Sequence, residues 1–324
     1  MLIRKPTPPG RPLPVGAPLA FPAVRRAPAT SDRYPAFTNA LTVDVEDYFQ
    51  VSAFRERVCR SMWDRLESRV EANTDRLLSM FDLAAVRGTF FILGWVAERY
   101  PRLIRRIAAA GHEIASHGYW HELVYELTPE AFARDLRNSR EAIANACGVE
   151  VDAYRAPSFS IVERSLWALE ILVECGFRVD SSMFPIAGHD RYGTPTARKE
   201  IHCLPTPRGT LCEFPPSAWV PRRIPLPIGG GYFRLFPLRL TMRAIRAVHQ
   251  EGRPAMFYIH PWEVDPWQPR IRDVSLQSRF RHYVGVGRTE RRLSQLLRTF
   301  SFAPMSRVIR SARQMSAGGG LALA

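Results

Sequence analysis

Hydrophobic and polar positions along this 324-residue chain alternate between two periods. Short apolar runs rich in β-branched and aromatic residues read as strands: "ALTV", "GTFFILG", "HEIASH", "VDAYRAP", "FRVDSS" and "AMFYIHPW". Segments of helical period separate them. "WDRLESRVEANTDRLLSMFDLAAV" sets Leu66, Val70, Leu77, Leu78 and Phe81 near one face, and "YPRLIRRIAAAG" closes at Gly111. "LTPEAFARDLRNSREAIANACG" opens with Thr128 as N-cap and Pro129 at the first helical position, and it closes at Gly148. "SLWALEILVECG" and "LTMRAIRAVHQEG" complete the series, with a less regular region between "FRVDSS" and the last helix. Strand and helix alternate for more than 200 residues without an internal repeat. This pattern predicts an α/β fold with a mostly parallel sheet, open or closed into a barrel. In both forms the active groups gather at the carboxyl ends of the strands.

Composition changes this picture little. With 46% hydrophobic and 23% charged residues, the chain suits a soluble globular protein with a large core. No apolar run approaches the roughly 20 residues that a membrane helix needs. Residues 1–35 hold nine of the 27 prolines and read as a disordered basic tail. Prolines break its apolar part, "PLPVGAPLAFPAV", so no secretory signal is read, and the expected location is the cytoplasm or the periphery of the inner membrane. The five cysteines are odd in number and widely spaced, with no C-x-x-C, which argues against a disulfide framework or zinc knuckle. Cys147 and Cys175 fall in apolar helical patterns and read as core.

Charge is unevenly distributed. The net +14 comes from the ends: +5 over residues 1–35, and +9 over residues 270–314 from eleven arginines against two acids. The neutral body argues against a nucleic-acid groove, while the ends permit weak contact with an acidic membrane surface.

Titratable residues fall at the strand ends. "LTV" ends in Asp44, Glu46 and Asp47; "EIAS" ends in His117, with His121 four residues on; "DAY" ends in Arg155; "FRV" ends in Asp180; "MFYI" ends in His260. Each alone fits a structural residue, but five strands that deliver such groups to one rim point to metal-assisted hydrolysis. Two neutral imidazoles and a carboxylate hold a divalent ion with open positions. The ion acidifies water and polarises a carbonyl. A second carboxylate takes the proton, an imidazolium protonates the leaving group, and an arginine keeps the basic carboxylate ionised.

The ordered motifs "TVDVED", "SHGYWH", "RAPSF", "VDSS" and "YIHPW", with "GTFFILG" between the first two, resemble the polysaccharide deacetylase family (NodB homology, carbohydrate esterase family four) over roughly residues 38–265. The run "RFRHYVGVGRTERRLSQLLRTFSFAPM" resembles a C-terminal extension found on deacetylases of exosortase-associated exopolysaccharide loci. The resemblance implies a distorted (β/α) barrel of the NodB-homology type. It implies a deacetylase domain at 36–270, a helical extension packed on the barrel at 271–315 and a flexible end at 316–324. It also implies removal of N-acetyl groups from an amino-sugar polymer or its precursor, with Zn2+ as the ion and Co2+ or Ni2+ as alternatives.

Carried over, Asp44 is the general base, His117 and His121 are ligands, and Arg155 orients Asp44. Asp180 partners His260, the general acid, and the Ser158 N–H serves the oxyanion. The family's first motif has two adjacent aspartates, whereas Val45 follows Asp44 here, so the carboxylate ligand comes from Glu46 or Asp47. Alternation in an extended chain favours Glu46. Tyr119, Trp120, Phe159, Trp219 and Trp262 are candidate sugar platforms, Tyr258 reads as core, and Glu213 as a wall of the cleft or a plain loop residue. Two other readings stay open: a catalytically silent carbohydrate-binding protein, and a small cyclic-amide hydrolase of related fold.

Overall fold

The structure is a computed structural model and describes residues 37–188 and 192–318. The proline-rich segment 1–35 and residues 319–324 of the expected flexible end lie outside the described residues. The chain opens with β1 (Asn39–Val45), buried along its whole length. Then come α1 (Val70–Leu83), β2 (Thr89–Ile92), α2 (Gly94–Arg99), α3 (Pro101–Ala109) and β3 (Glu113–Ser116). α4 (Pro129–Cys147), β4 (Ala153–Tyr154), α5 (Trp167–Glu174) and β5 (Val179–Asp180) continue the alternation. A hairpin follows, β6 (His202–Thr206) and β7 (Gly209–Glu213), then the short pair β8 (Ala218–Trp219) and β9 (Leu226–Pro227). The last repeat is α6 (Gly230–Leu235), α7 (Leu238–Gln250) and β10 (Met256–Ile259). The C-terminal segment holds α8 (Leu276–Tyr283), α9 (Thr289–Thr299), β11 (Phe302–Ala303) and α10 (Met305–Gly318).

One nine-stranded sheet runs in the order β10-β1-β2-β3-β4-β5-β7-β6, with β11 added beside the start of β1. Every pairing is parallel except β6 with β7. Ala40, Phe91, Ala115, Ala153, Cys212 and Met256 come from strands across the sheet and share one buried cluster with Met305, Val308 and Ile309 of α10. Strands from opposite ends of the order meet in that cluster, so the sheet curls around it, and α10 supplies part of its filling. No ladder joins β10 to β6 or β7 among the described residues. Residues 214–229 cross that gap: Met256 N–H donates to Ser217 Oγ (2.9 Å), and Gly229 bridges Tyr258. Gly229 sits at φ 144°, where an added Cβ would come within 2.4 Å of the Tyr258 carbonyl oxygen, so the close approach requires glycine.

Local signals account for several boundaries. Thr128 caps α4 by accepting from Ala131 N–H (3.2 Å), Pro129 opens it, and Gly148 ends it in the left-handed region at φ 73°. α1 begins later than the pattern predicts. Residues 60–65 form a 3-10 turn, Leu66 is extended, and the helix starts at Val70, where the Asp47 carboxylate receives the free N–H groups. The less regular region contains the β6–β7 hairpin, whose strands carry Pro205 and polar residues rather than clean alternation. All five cysteines are free. No helix among the described residues is long and apolar enough to cross a membrane.

Candidate active site

Along β1, Leu41, Val43 and Val45 join the large cluster beneath the helices. Ala40 faces the barrel interior. Thr42 and Asp44 share its parity along the strand and meet the same buried arginine. After Val45 the backbone turns sharply, with Glu46 N–H donating to the Asp44 carbonyl (3.1 Å). Glu46 therefore joins Asp44 at the strand end through a turn, not through the continued extension expected from alternation.

Glu46, His117 and His121 converge, each offering a donor atom, and these atoms lie within 4.8 Å of one another. His117 Nδ1–H donates to the Arg155 carbonyl (2.8 Å), leaving Nε2 its lone pair. Burial pulls His117 down to about 4, so it is neutral near pH 7 and able to ligate. His121 Nε2 lies 2.7 Å from Glu46 Oε2, and His121 has a positive φ of 57°. Trp262 Nε1–H donates to Glu46 Oε1 (3.0 Å), while His121 Nδ1 is buried with no hydrogen-bond partner. Burial opposes ionisation of Glu46, but the imidazoles of His121, His260 and His117 outweigh it and hold its carboxyl well below the usual range. A buried carboxylate flanked by two imidazoles, one of them 2.7 Å away, fits a divalent cation.

Asp47 points elsewhere. Its Oδ2 accepts from Ser68 Oγ (2.7 Å), Arg69 N–H (2.8 Å) and Val70 N–H (3.1 Å), which caps α1. Burial pushes its carboxyl up to about 6 against these bonds.

Asp44 Oδ1 accepts from Arg155 Nη1 (2.7 Å), and Arg155 is wholly buried over the Phe91 ring. Thr42 Oγ1 (2.9 Å) and Ser181 Oγ (3.0 Å) accept from the same guanidinium and fix its plane. Across the cavity, His260 Nε2 lies 3.8 Å from Asp44 Oδ2 and 3.7 Å from Glu46 Oε1. His260 Nδ1 bonds Glu263 Oε1 at 2.6 Å. Burial lowers the His260 pKa, yet the Glu263 bond and the charges of Glu46, Glu263 and Asp44 raise it to about 9.

The expected partnership of Asp180 with His260 is absent. Asp180 ends β5, turned toward Ser182 Oγ–H (2.5 Å) and Glu213. His260 takes its carboxylate from three residues ahead in its own loop instead. Glu213 is fully buried and does not line the cleft; its Oε1 accepts from Met183 N–H (3.1 Å). Burial and the adjacent Asp180 raise Glu213 well above its ordinary 4.5, which favours its protonated form in the fold. The folded chain keeps a proton that the unfolded chain releases, so this pair costs stability as pH rises, at up to about 1.4 kcal/mol per pH unit. Glu213→Gln still donates to Asp180 without titrating. Thermal melts from about pH 5 to about pH 8 are expected to fall more for the parent than for the variant, and parallel melts would show that Glu213 is ionised in the fold.

The groups open into a cavity of about 420 Å³, within the range of small-ligand sites. Asp44, Glu46, His117, His121 and His260 line it, as do Ser158 (φ 52°) and two of the expected platforms, Phe159 and Trp262. Tyr119, Trp120 and Trp219 do not line it. Tyr119 bonds Glu98, Trp120 lies under Arg60, and Trp219 lies under Arg243. Tyr258, read as core, is buried but reaches the cavity.

The other wall comes from residues that sequence reasoning missed: Tyr232 and Leu235 of α6, and Gln277, Phe280 and His282 of α8. Local pattern says nothing of where α8 lies. Only the buried-reading run "HPWE", with an acid three residues after His260, carried a usable signal for Glu263.

The profile of the family described as polysaccharide deacetylase matches residues 53–179, and that described as a domain of unknown function, DUF3473, matches residues 181–310. His117, His121 and Arg155 fall in the first; His260, Glu263 and Arg234 fall in the second. The chain is 31% identical over 98 residues to a peptidoglycan-N-acetylglucosamine deacetylase of Bacillus cereus, covering 30% of this chain and 36% of that one. It is 36% identical over 74 residues to a chitooligosaccharide deacetylase of Rhizobium leguminosarum bv. trifolii, covering 23% of this chain and 34% of that one. The chain thus spans about a third of the length of these curated relatives. A solved structure from Mycobacterium smegmatis, of a protein provisionally called a polysaccharide deacetylase, superposes with a TM-score of 0.60 at 21% identity over 89% of this chain and 93% of that one, which shows a shared fold.

Proposed function

Because the chain carries a polysaccharide deacetylase domain followed by a DUF3473 region, we propose that it is a metal-dependent hydrolase removing N-acetyl groups from an amino-sugar polymer or its precursor. The observation that carries this reading is the convergence of Glu46, His117 and His121 beside an Asp44 held by Arg155 and a His260 held by Glu263. A placement in exopolysaccharide synthesis rests on the resemblance of residues 279–305 alone.

Glu46, His117 and His121 would hold the cation, zinc first and cobalt or nickel as alternatives. When bound, it acidifies water and polarises the amide oxygen. Asp44 takes the proton of the attacking water, with Arg155 Nη1 aiming the carboxylate. Ser158 N–H is the donor assigned to the oxygen on which negative charge develops. His260 gives a proton to the amide nitrogen as the carbon–nitrogen bond breaks, releasing acetate and the free amine. Of the expected aromatic platforms, Phe159 lines the cavity beside the site, whereas the Trp262 ring is stacked against His282 and His260.

Acetate release from chitin oligomers, peptidoglycan and a bacterial exopolysaccharide, with and without chelator, tests the reading. Release from at least one, abolished by chelator and restored by zinc, is expected. Retention of the oligomers without release under any of the three metals would make the chain a silent carbohydrate-binding protein.

A further inference from the structure

We propose that Glu263 and Arg234 position the imidazole of His260, in place of the strand-end Asp180, and that Arg234 ties this pair to the C-terminal wall of the cavity. The inference rests on the reading of His260 as the acid of an amide hydrolase. Glu263 is fully buried, and both of its oxygens are committed. Oε1 accepts from His260 Nδ1 (2.6 Å) and His260 N–H (3.0 Å), and Oε2 accepts from Arg234 Nε (2.5 Å). One carboxylate therefore fixes both the ring and the backbone of the same histidine. A proton on Nδ1 leaves Nε2 as the nitrogen facing Asp44 and the cavity.

Arg234 is itself over-determined. Its side chain is 2% exposed and lies over the Trp262 ring at 4.9 Å. Its Nη1 donates to the carbonyls of His282 and Val284 (3.0 Å to the latter), and its Nη2 to that of Arg281 (3.0 Å). The His282 ring stacks on Trp262 (4.1 Å, 15°), which in turn lies along His260 (5.2 Å, 23°). The end of α8, which walls the cavity, is thereby bonded to the group that aims His260. A planar fork that reaches one carboxylate and three carbonyls is a task for arginine and not for lysine. Asp180 has no comparable route, since its oxygens face Ser182 and Glu213.

The test uses the full zinc-loaded chain with Glu263→Gln, Glu263→Asp and Arg234→Lys. Each is measured for kcat, KM, zinc content and melting temperature on an acetylated chitin oligomer. Glu263→Gln is expected to lower kcat by about 100-fold or more with KM nearly unchanged and zinc retained, because the loss falls on a proton-transfer group. Glu263→Asp is expected to recover part of it, and Arg234→Lys to lose kcat by an intermediate factor. If Glu263→Gln alone fails to fold around the unpaired Arg234, Glu263→Gln with Arg234→Met removes both charges and is expected to show the same kcat loss. Parental kcat in either folded form would overturn the proposal.

A second readout is independent of activity. In histidine-labelled protein, the Nδ1 proton resonance assigned by its absence from His260→Ala is expected to move on Glu263→Gln and to stay in place on Asp180→Asn. The opposite pattern would return the role to Asp180. A parent that releases no acetate from any polymer would sink the hydrolase reading, while the resonance would still report whether Glu263 holds His260.

Discussion

Asp44→Asn is expected to keep its metal and to lose turnover by about 10²–10⁴-fold, the usual contribution of a positioned base. The amide is nearly isosteric, and its oxygen can still accept from Arg155 Nη1, whose bond to Asp44 is 2.7 Å. What it cannot do is accept the proton of water. The substitution also strips a wholly buried guanidinium of its ionic partner, because the other acceptors, Thr42 Oγ1, Ser181 Oγ, the Ser181 carbonyl and Met256 Sδ, are neutral. Breaking one side of such a buried pair costs about 3–5 kcal/mol. Turnover must therefore be measured below the variant's melting point and alongside zinc content. A folded, zinc-loaded Asp44→Asn with near-parental kcat would move the base elsewhere, and His260 Nε2, 3.8 Å away, would be the next group to examine.

The second large effect separates two neighbouring acids. Glu46→Gln is expected to weaken zinc binding well beyond the roughly 10–100-fold that an outer partner costs. It neutralises the only carboxylate in the converging group and places an amide against His121 Nε2, 2.7 Å from Glu46 Oε2. His117→Ala and His121→Ala are expected to do the same. Asp47 behaves differently because it holds no atom of that group and accepts the N–H groups of Arg69 and Val70. Asp47→Ala is expected to keep zinc and lose about 1.5–3 kcal/mol of stability, the scale of hydrogen bonds to a charged acceptor. Zinc titration and chemical denaturation of the two variants check both halves. An Asp47 variant that loses zinc while Glu46→Gln retains it would reverse the assignment.

The order of strands and helices, the cap and stop of α4, and the gathering of Asp44, Glu46, His117, Arg155 and His260 at strand ends could all be read from the sequence. These features are encoded locally. Thr128, Pro129 and Gly148 act on their own helix, and a parallel sheet sends every strand end to the same rim. Even there, local reasoning gave the facing of Glu46 for the wrong cause, since a turn at Val45 replaces the extended chain.

What the sequence could not disclose depends on distance along the chain. Asp47 caps a helix 22 and 23 residues away, which delays the start of α1. Trp262 steadies Glu46 across 216 residues. Arg234 meets Glu263 across 29 residues and the end of α8 across 47 to 50, which makes a C-terminal segment the wall of the site. Asp180 and His260 stand at the rim as a motif order suggests, but a buried carboxylate goes to whichever donor its own loop supplies. Ser182 and Glu213 claim Asp180, and Glu263 claims His260. Periodicity and capping are decided by neighbours in sequence, whereas the pairing of buried charges is decided by desolvation, which acts only once the fold has brought the partners together and shut out water.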